Sequence, residues 1–308
     1  MPLTTDVRVD RAMTQFSLRY GNPGYIADRV FPVQRSVMWD SKDAGKYFVY
    51  DKANMRVERD GPLGTRSPAP EVDYDVSSTS FTLNRYALKE MVTQEEIDNA
   101  DEPLDPEEDA TAFLTDKLLI GREYRAASVA FSATYVTSGT TLSGTNQWSD
   151  ETSNPLSALE VAKASLAAEP NAIIMGQQVW QYLRHHPDIV DRFKYTSGGG
   201  VTMAQFADLL GIAPEMVMVG GARRNTADEG QTASLSYIWG KHACLAYIDP
   251  APRPRTMTAF VTLQRGESRT VSEWPSNDPE GTWKKVQDRY LHKVVATDLA
   301  YLFTNAVA

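Results

Sequence analysis

Residues 51–71 read DKANMRVERDGPLGTRSPAPE, a stretch of charge, proline and glycine with neither a helical nor a strand period. Before it stands Lys46-Tyr47-Phe48-Val49-Tyr50 and after it the run Val72–Leu83, both with strand character. Together they predict a hairpin, but its connection is far longer than the about 4–6 residues usual inside a compact domain. Gly21–Pro32 (GNPGYIADRVFP) is irregular in the same way. The first part of the chain is therefore expected to be an extended arm instead of a packed domain. Arms of this kind gain stability by lying on a neighbour, which points to an assembly protein.

Outward from the hairpin, Asn84–Asn99 turns helical in composition, and Glu90–Asp109 holds ten carboxylates and no basic residue. The acidic run ends at a strong helix start. Asp105 can cap, Pro106 suits the first helical position, and Glu107, Glu108 and Asp109 favour the positive end of the dipole. Phe113, Leu114, Leu118, Gly121, Tyr124, Ser128, Phe131 and Tyr135 then share one face, predicting a helix of about eight turns or more.

Thr137–Pro155 is a polar loop with turn residues throughout. Helix and strand signals then alternate: a helix over Leu156–Ala168, a buried strand over Asn171–Met175, and a helix from Gln177 to about His186 that Pro187 stops or restarts. Met203–Leu210 is helical, Met216–Val219 is a strand, and Ser236–Ile248 reads as a long strand or strand pair. This alternation suggests a compact α/β unit over 156–250. Thr256–Leu263 and Thr282–Ala296 return to β, with Val286, Tyr290, Val294 and Val295 inward, and the apolar segment Asp298–Val307 closes the chain.

At 308 residues, 42% hydrophobic and 23% charged, the chain can bury a real core. No run approaches the roughly 20 apolar residues of a membrane span, and MPLTTDVRVDRAM lacks an apolar signal core, so a cytoplasmic protein without membrane contact is expected. The net charge of −9 argues against a dedicated nucleic-acid binder but suits a wall that encloses a polyanion without sticking to it. A single cysteine, Cys244 in the apolar run Ala243–Ala246, excludes an internal disulfide and reads as a buried structural thiol.

The candidate chemistry is thin. The carboxylates of 90–109 lack the ligand spacing and glycine turn of a calcium loop, so they read as a solvated helix start that can meet a basic neighbour. His185 and His186 are adjacent and point about 100° apart on a helix, which suits a polar cluster near a helix C-terminus better than a shared metal. Ser197–Gly200 and Val219-Gly220-Gly221 match no phosphate-loop spacing and read as flexible connections. Only Trp283 among the tryptophans stands beside a basic pair, Lys284-Lys285, and the aromatics are expected in cores and subunit contacts. No catalytic residue, cofactor or metal site is expected.

Several segments resemble the major capsid proteins of tailed bacteriophages and prophages, with the fold named after phage Hong Kong 97. They are Gly24–Pro32 (GYIADRVFP), Gly45-Lys46-Tyr47, Asn146–Asp150, Asn171–Met175 with its helix to His186-Pro187, and Ile238-Trp239-Gly240. The resemblance implies an α+β, Hong Kong 97-type capsid fold. Its parts would be an N-terminal arm (1–45), an extended β-hairpin loop (46–84), a peripheral domain with a long spine helix (85–155), an α/β axial domain (156–250) and peripheral return strands (251–308).

It further implies self-assembly through pentamers and hexamers into an icosahedral shell around phage double-stranded DNA, built in the host cytoplasm. Scaffolding, portal and decoration proteins would be partners, and DNA would lie on the inner face without sequence-specific binding. On that reading Arg56, Arg59 and Arg66 of the hairpin are candidate intersubunit contacts, with Glu95, Glu96, Asp101 and Glu102 of a neighbour as counterparts. The alternatives are an encapsulin-like nanocompartment shell and an α/β enzyme centred on 156–250.

Overall fold

Asp10 ends the short strand β1 (Arg8–Val9) and starts α1 (Arg11–Arg19), its side chain accepting the Met13 N–H. The computed structural model describes residues 7–22, 24–34, 42–49, 62, 68, 77–101, 104–193, 200–253 and 256–308. After α1 come α2 (Ala27–Val30) and β2 (Val33–Gln34). This first segment is not the bare arm expected of it. Val30 and Phe31 are fully buried, with Phe31 packed 5.0 Å from Phe260 and 4.8 Å from His292 between ring centres. Ser17 Oγ meets Thr115 Oγ1 at 2.9 Å, fixing α1 to the long helix described below. Apolar residues that can reach the chain's own core need no neighbour to cover them.

The predicted hairpin is present in its described part. β3 (Ala44–Val49) pairs antiparallel with β4 (Ser77–Thr82), Ala44 facing Thr82 and Val49 facing Ser77. Tyr47, Phe81 and Leu83 seat its base on Val261, Leu263 and Val295. The chain then continues as β5 (Asn84–Thr93), not as the helix its composition suggested. Ala87, Leu88, Lys89, Glu90 and Met91 are good helix formers, but the backbone ladder with a long partner strand outweighs that local preference. The helical signal survives only in α3 (Gln94–Asp98), where Thr93 and Glu96 form a reciprocal capping box.

The helix start was legible: α4 (Pro106–Ala130) begins with Asp105 accepting the Glu107 and Glu108 N–H groups. It is shorter than expected, ending where Phe131 leaves helical geometry and sets its ring edge-on to Trp239 at 5.5 Å. Its buried face also differs. Leu114 and Leu118 are inside, but Phe113, Tyr124 and Tyr135 are exposed, while Thr111, Thr115, Arg122, Glu123, Ala126, Ala127 and Ala130 are buried. Small residues let the helix approach the sheets closely, and the two charged ones carry ion pairs and hydrogen bonds to other parts of the fold.

The second half follows the predicted alternation. The strand β6 (Gly139–Thr141) precedes α5 (Pro155–Ser165), which Asn154 caps, and β7 (Ala172–Gly176) leads directly into α6 (Gln177–Leu183). Pro187 restarts the chain as α7 (Pro187–Phe193); α8 (Met203–Leu210) follows, opened by a Thr202–Gln205 capping box and closed by Gly211 in the left-handed region. Next come β8 (Val217–Gly220), β9 (Arg223–Asn225), β10 (Leu235–Tyr237) and β11 (Ala243–Ala246), so Ser236–Ile248 holds two strands in different sheets. Gly220 is not a flexible connector. It is buried against the Trp239 ring, at a distance no side chain would allow.

The chain ends in β12 (Phe260–Asn277), β13 (Glu280–Val294) and β14 (Ala300–Thr304). β12 runs well beyond the Leu263 expected, bending at a bulge between Gln264 and Arg269 where Gly266 has φ +61°. One five-stranded sheet has the order β1-β12-β13-β5, with β2 added to β12; the second is β6-β14-β11-β7-β8, and β3-β4 and β9-β10 each form a two-stranded sheet. The last strand therefore lies in the α/β sheet and not with the peripheral strands. Strand β7 is buried on both faces: Ile173 and Met175 join the core under α5 to α8, while Ala172 and Ile174 join Trp239, Phe31, Phe260 and the end of α4.

Candidate functional site

Arg122 and Glu123 stand side by side on the buried face of α4. A buried charge without partners costs several kcal/mol, so both must be held. Arg122 reaches Asp28 in α2 at 2.6 Å and Asp288 on β13 at 2.9 Å, and its guanidinium lies 4.5 Å from the centre of the Tyr290 ring. Glu123 accepts the Ala27 N–H at 2.6 Å through Oε1 and the Trp239 indole N–H at 2.7 Å through Oε2. Two adjacent residues thus tie the N-terminal segment, the first sheet and the core of the second sheet together.

Burial sets the electrostatics of this junction. It pushes the Glu123 carboxyl up to about 7, against the pull of the Ala27 and Trp239 N–H groups. It pushes Asp288 up to about 6, against Arg122 and Arg269. Burial and then the nearby Arg122 and Arg125 hold His292 well below its ordinary range, and its Nδ1 bonds with Thr262 Oγ1 at 2.9 Å. A second clamp lies nearer the β12–β13 turn. The buried Lys284 Nζ reaches Glu273 at 2.6 Å, Glu107 at 2.9 Å and Asp10 at 3.8 Å, joining β13, β12, α4 and the start of α1.

None of these residues was singled out as a site from sequence. The available signal was an Arg-Glu pair one turn before Ala126, Ala127 and Ala130, on the face where small residues demand close packing. Their partners at 28, 239 and 288 only become neighbours on folding.

Of the residues that were singled out, Arg56, Arg59, Arg66 and Glu102 lie outside the described residues. Glu95 and Glu96 sit in α3, Glu96 occupied as the capping partner of Thr93 (Oε2 to N, 2.8 Å), and Asp101 is exposed beyond it. The hydrogen bonds to Thr93 pull Glu96 below the usual carboxylate range. Between β5, α3 and the start of α4 lies an open cleft of about 420 Å³, lined by Glu90, Val92, Glu96, Leu104, Asp109 and Phe113 among others. Leu104 and Phe113 are exposed, and Glu90 Oε2 is buried with no hydrogen-bond partner among the described residues.

Across the edge strand β5 the surface reverses sign. Side chains alternate along a strand, so Lys284 and Val286 face α1 and α4 while Trp283, Lys285 and Gln287 face away. On that open face Trp274, Trp283 and Met91 form one row, and Ser272, Lys285 and Lys89 the next. The two indoles stack at 6.4 Å and 20°. Lys89 Nζ lies 4.0 Å from the Trp283 ring and Lys285 Nζ 5.4 Å from Trp274, while Arg85 donates to Gln287 Oε1 at 2.7 Å. Among the described residues these three cations contact rings and an amide, not a carboxylate. Trp283 beside Lys284-Lys285 is thus half-exposed, whereas Trp148, Trp180 and Trp239 belong to cores.

The remaining sequence candidates are structural. Cys244 is fully buried, and burial pushes its thiol up to about 12. His186 Nδ1 accepts the Asp188 N–H at 3.2 Å, so Nε2 carries the hydrogen shared by the Asp150 carbonyl and Ser153 Oγ, both at 3.0 Å. That histidine pins the 137–155 loop to α7. Among the described residues no group of three or more His, Cys, Asp or Glu side chains is placed to hold a metal, and no helix is long and apolar enough to cross a membrane.

Residues 117–301 match the family model of phage major capsid protein E. Over 307 residues the chain is 34% identical to the major capsid protein of Pseudomonas phage JBD67, covering 97% of each. Among solved structures it is similar to a phage-related protein from Bordetella bronchiseptica RB50, with a TM-score of 0.77 at 21% identity and 97% of both chains covered. It is also similar to the capsid of cyanophage P-SCSP1u, with a TM-score of 0.58 at 9% identity over 89% of this chain and 86% of that one.

Proposed function

The chain belongs to the phage major capsid protein E family, and from that membership we propose that its subunits form pentamers and hexamers closing into an icosahedral shell around phage double-stranded DNA. It is a structural component of the virion capsid and not an enzyme, and its fold is the α+β type of Hong Kong 97. The family sets aside both the nanocompartment and the α/β-enzyme readings.

The supporting observation is unpaired surface charge on a body whose buried Arg122, Glu123 and Lys284 are held by partners inside the same chain. Glu95 and Asp101 are exposed without a basic partner among the described residues. On our reading Arg56, Arg59 and Arg66 of a neighbour's hairpin pair with Glu95, Glu96, Asp101 and Glu102. Each such contact is weak, and closure comes from summing several per subunit. Rings arise because a head-to-tail contact repeats by rotation until it closes. Assembly in the host cytoplasm would involve a scaffolding protein, a portal and possible decoration proteins, with DNA held inside by confinement instead of sequence readout.

Size-exclusion chromatography with negative-stain electron microscopy of the expressed chain tests this. Closed shells, or discrete pentamers and hexamers, are expected. A compact monomer at every concentration, with scaffolding protein added or not, would overturn it. Charge reversal at Arg56, Arg59 and Arg66 should lower shell yield, and unchanged assembly would sink that pairing alone.

A further inference from the structure

We propose that copies of this chain also dock head to tail through the two faces of β5, the Trp274–Trp283 face of one copy seating on the Leu104–Phe113 cleft of the next. The inference rests on the shell reading and names one of its interfaces. The two surfaces are complementary in two independent ways. One presents the half-buried rings of Trp274 and Trp283 with Lys89, Lys285 and Arg85. The other presents exposed Leu104 and Phe113 with Glu90 and Asp109 at its rim and Glu108 beside it.

An ammonium resting on an indole keeps its remaining hydrogens free, so an arriving carboxylate completes the lysine's shell without displacing the ring. The partly dry setting makes that pair stronger than a surface salt bridge. Glu90 Oε2, buried and without a partner, would gain a donor in the same event.

Both surfaces are built on β5, whose Met91 stands in the open-face row and also lines the cleft, so within one copy neither can fold onto the other. The contact is therefore between copies and heterologous, the type that generates rings and shells instead of an isolated two-fold dimer. A nucleic-acid occupant fits less well. Three cations make a small patch on a chain of net charge −9, and the carboxylates of α3 and of the first turn of α4 follow β5 directly in the chain.

Three variants decide it, all at exposed or half-exposed positions: K89E/K285E, E108K/D109K, and the four changes combined. Each is checked for folding by circular dichroism and for assembly by sedimentation velocity and electron microscopy. The wild type should assemble, each pair of reversals should lower shell yield at least about tenfold, a loss of about one contact's worth per subunit, and the fourfold variant should recover most of it. Normal assembly of either double variant overturns the contact, as does failure of a folded fourfold variant to recover. If K89E/K285E builds normal shells that retain less nucleic acid, the face binds a polyanion and the proposal is wrong. A wild type that never assembles, with scaffold or without, overturns the shell reading itself.

Discussion

Trp239 donates its indole N–H to Glu123 Oε2 at 2.7 Å, and the other oxygen of the same carboxylate accepts the Ala27 N–H at 2.6 Å. Both acceptor sites of a buried group are thus used by two different parts of the fold. Replacing Trp239 with Phe keeps an aromatic body but strands Oε2 without a donor. The expected cost is about 1–3 kcal/mol for the unsatisfied acceptor alone. Urea unfolding should show a lower midpoint at unchanged slope, since the change removes a contact and not the compactness of either state.

Acidity acts on the same carboxyl. Its proton leaves at about 7 in the folded chain but near its ordinary 4.5 when unfolded, because burial penalises the charge. Between those values the native state holds more protons, so stability falls as pH rises and this contribution is gone above about pH 7. Asp288 acts with the same sign, but only between its ordinary 3.8 and about 6. From pH 6 to 7 His242 and the buried His292, both held below their ordinary 6.5, contribute with the opposite sign, so Glu123 is read from the difference between wild type and variant. In Glu123→Gln the decline across that window should flatten, even though the variant is less stable throughout because an amide N–H₂ now faces a donor. Midpoints measured at half-unit steps from pH 4.5 to 8 separate the slope from the offset, and an unaltered slope would refute the assignment.

Lys284 separates a charge effect from a packing effect. Its side chain is fully buried and three carboxylates converge on it. Burial works against its charge, yet Glu273 and Glu107 hold its pKa above the ordinary lysine range. Lys284→Ala leaves Glu107 and Glu273 facing each other around a cavity, at an expected cost of about 3–5 kcal/mol. Lys284→Met restores the volume but not the charge and should still lose stability, because the carboxylates are only partly exposed. Adding Glu273→Gln to Lys284→Met should recover part of that loss. A double variant no more stable than the single would mean that the clamp's electrostatics do not matter.

The ordering of these elements was partly visible beforehand, and the reasons differ by region. Asp105-Pro106 announced α4 because capping is chemistry of adjacent residues, and the runs at 171–175 and 216–219 announced strands because they are short and almost wholly apolar. By contrast, 84–93 carries helix formers and becomes a strand only because β13 lies beside it. The continuation of β12 through Arg269–Asn277 was hidden by its polarity, since one face is open to solvent. Phe31 looked like part of an arm because nothing nearby in sequence covers it; Phe260 and His292 do so from the far end of the chain. The junction was least legible. Arg122 and Glu123 look like surface charges on an amphipathic helix until residues 28, 239 and 288 arrive around them.

Gly220 offers a test of how tightly the second sheet is fitted to this junction. A Cβ on Gly220 would overlap Cβ, Cγ and Cδ1 of Trp239, the side chain that reaches Glu123. Gly220→Ala must push the indole away or shift β8, and overpacking of this kind costs about 1–3 kcal/mol. Pushing the indole also lengthens its bond to Glu123, so the effect should exceed steric strain alone. Trp239→Ala removes the two closest atoms of the obstruction, Cγ and Cδ1, and leaves a cavity of its own, about 3–5 kcal/mol. In that background only the contact with Cβ of residue 239, at 2.7 Å, remains, so Gly220→Ala should cost less than it does beside the indole. The double-mutant cycle is expected to show a coupling energy of at least about 1 kcal/mol, the range found for residues in direct contact. Additive losses would mean that β8 absorbs the methyl by moving as a strand. The glycine would then serve the backbone path and not the seat of the tryptophan.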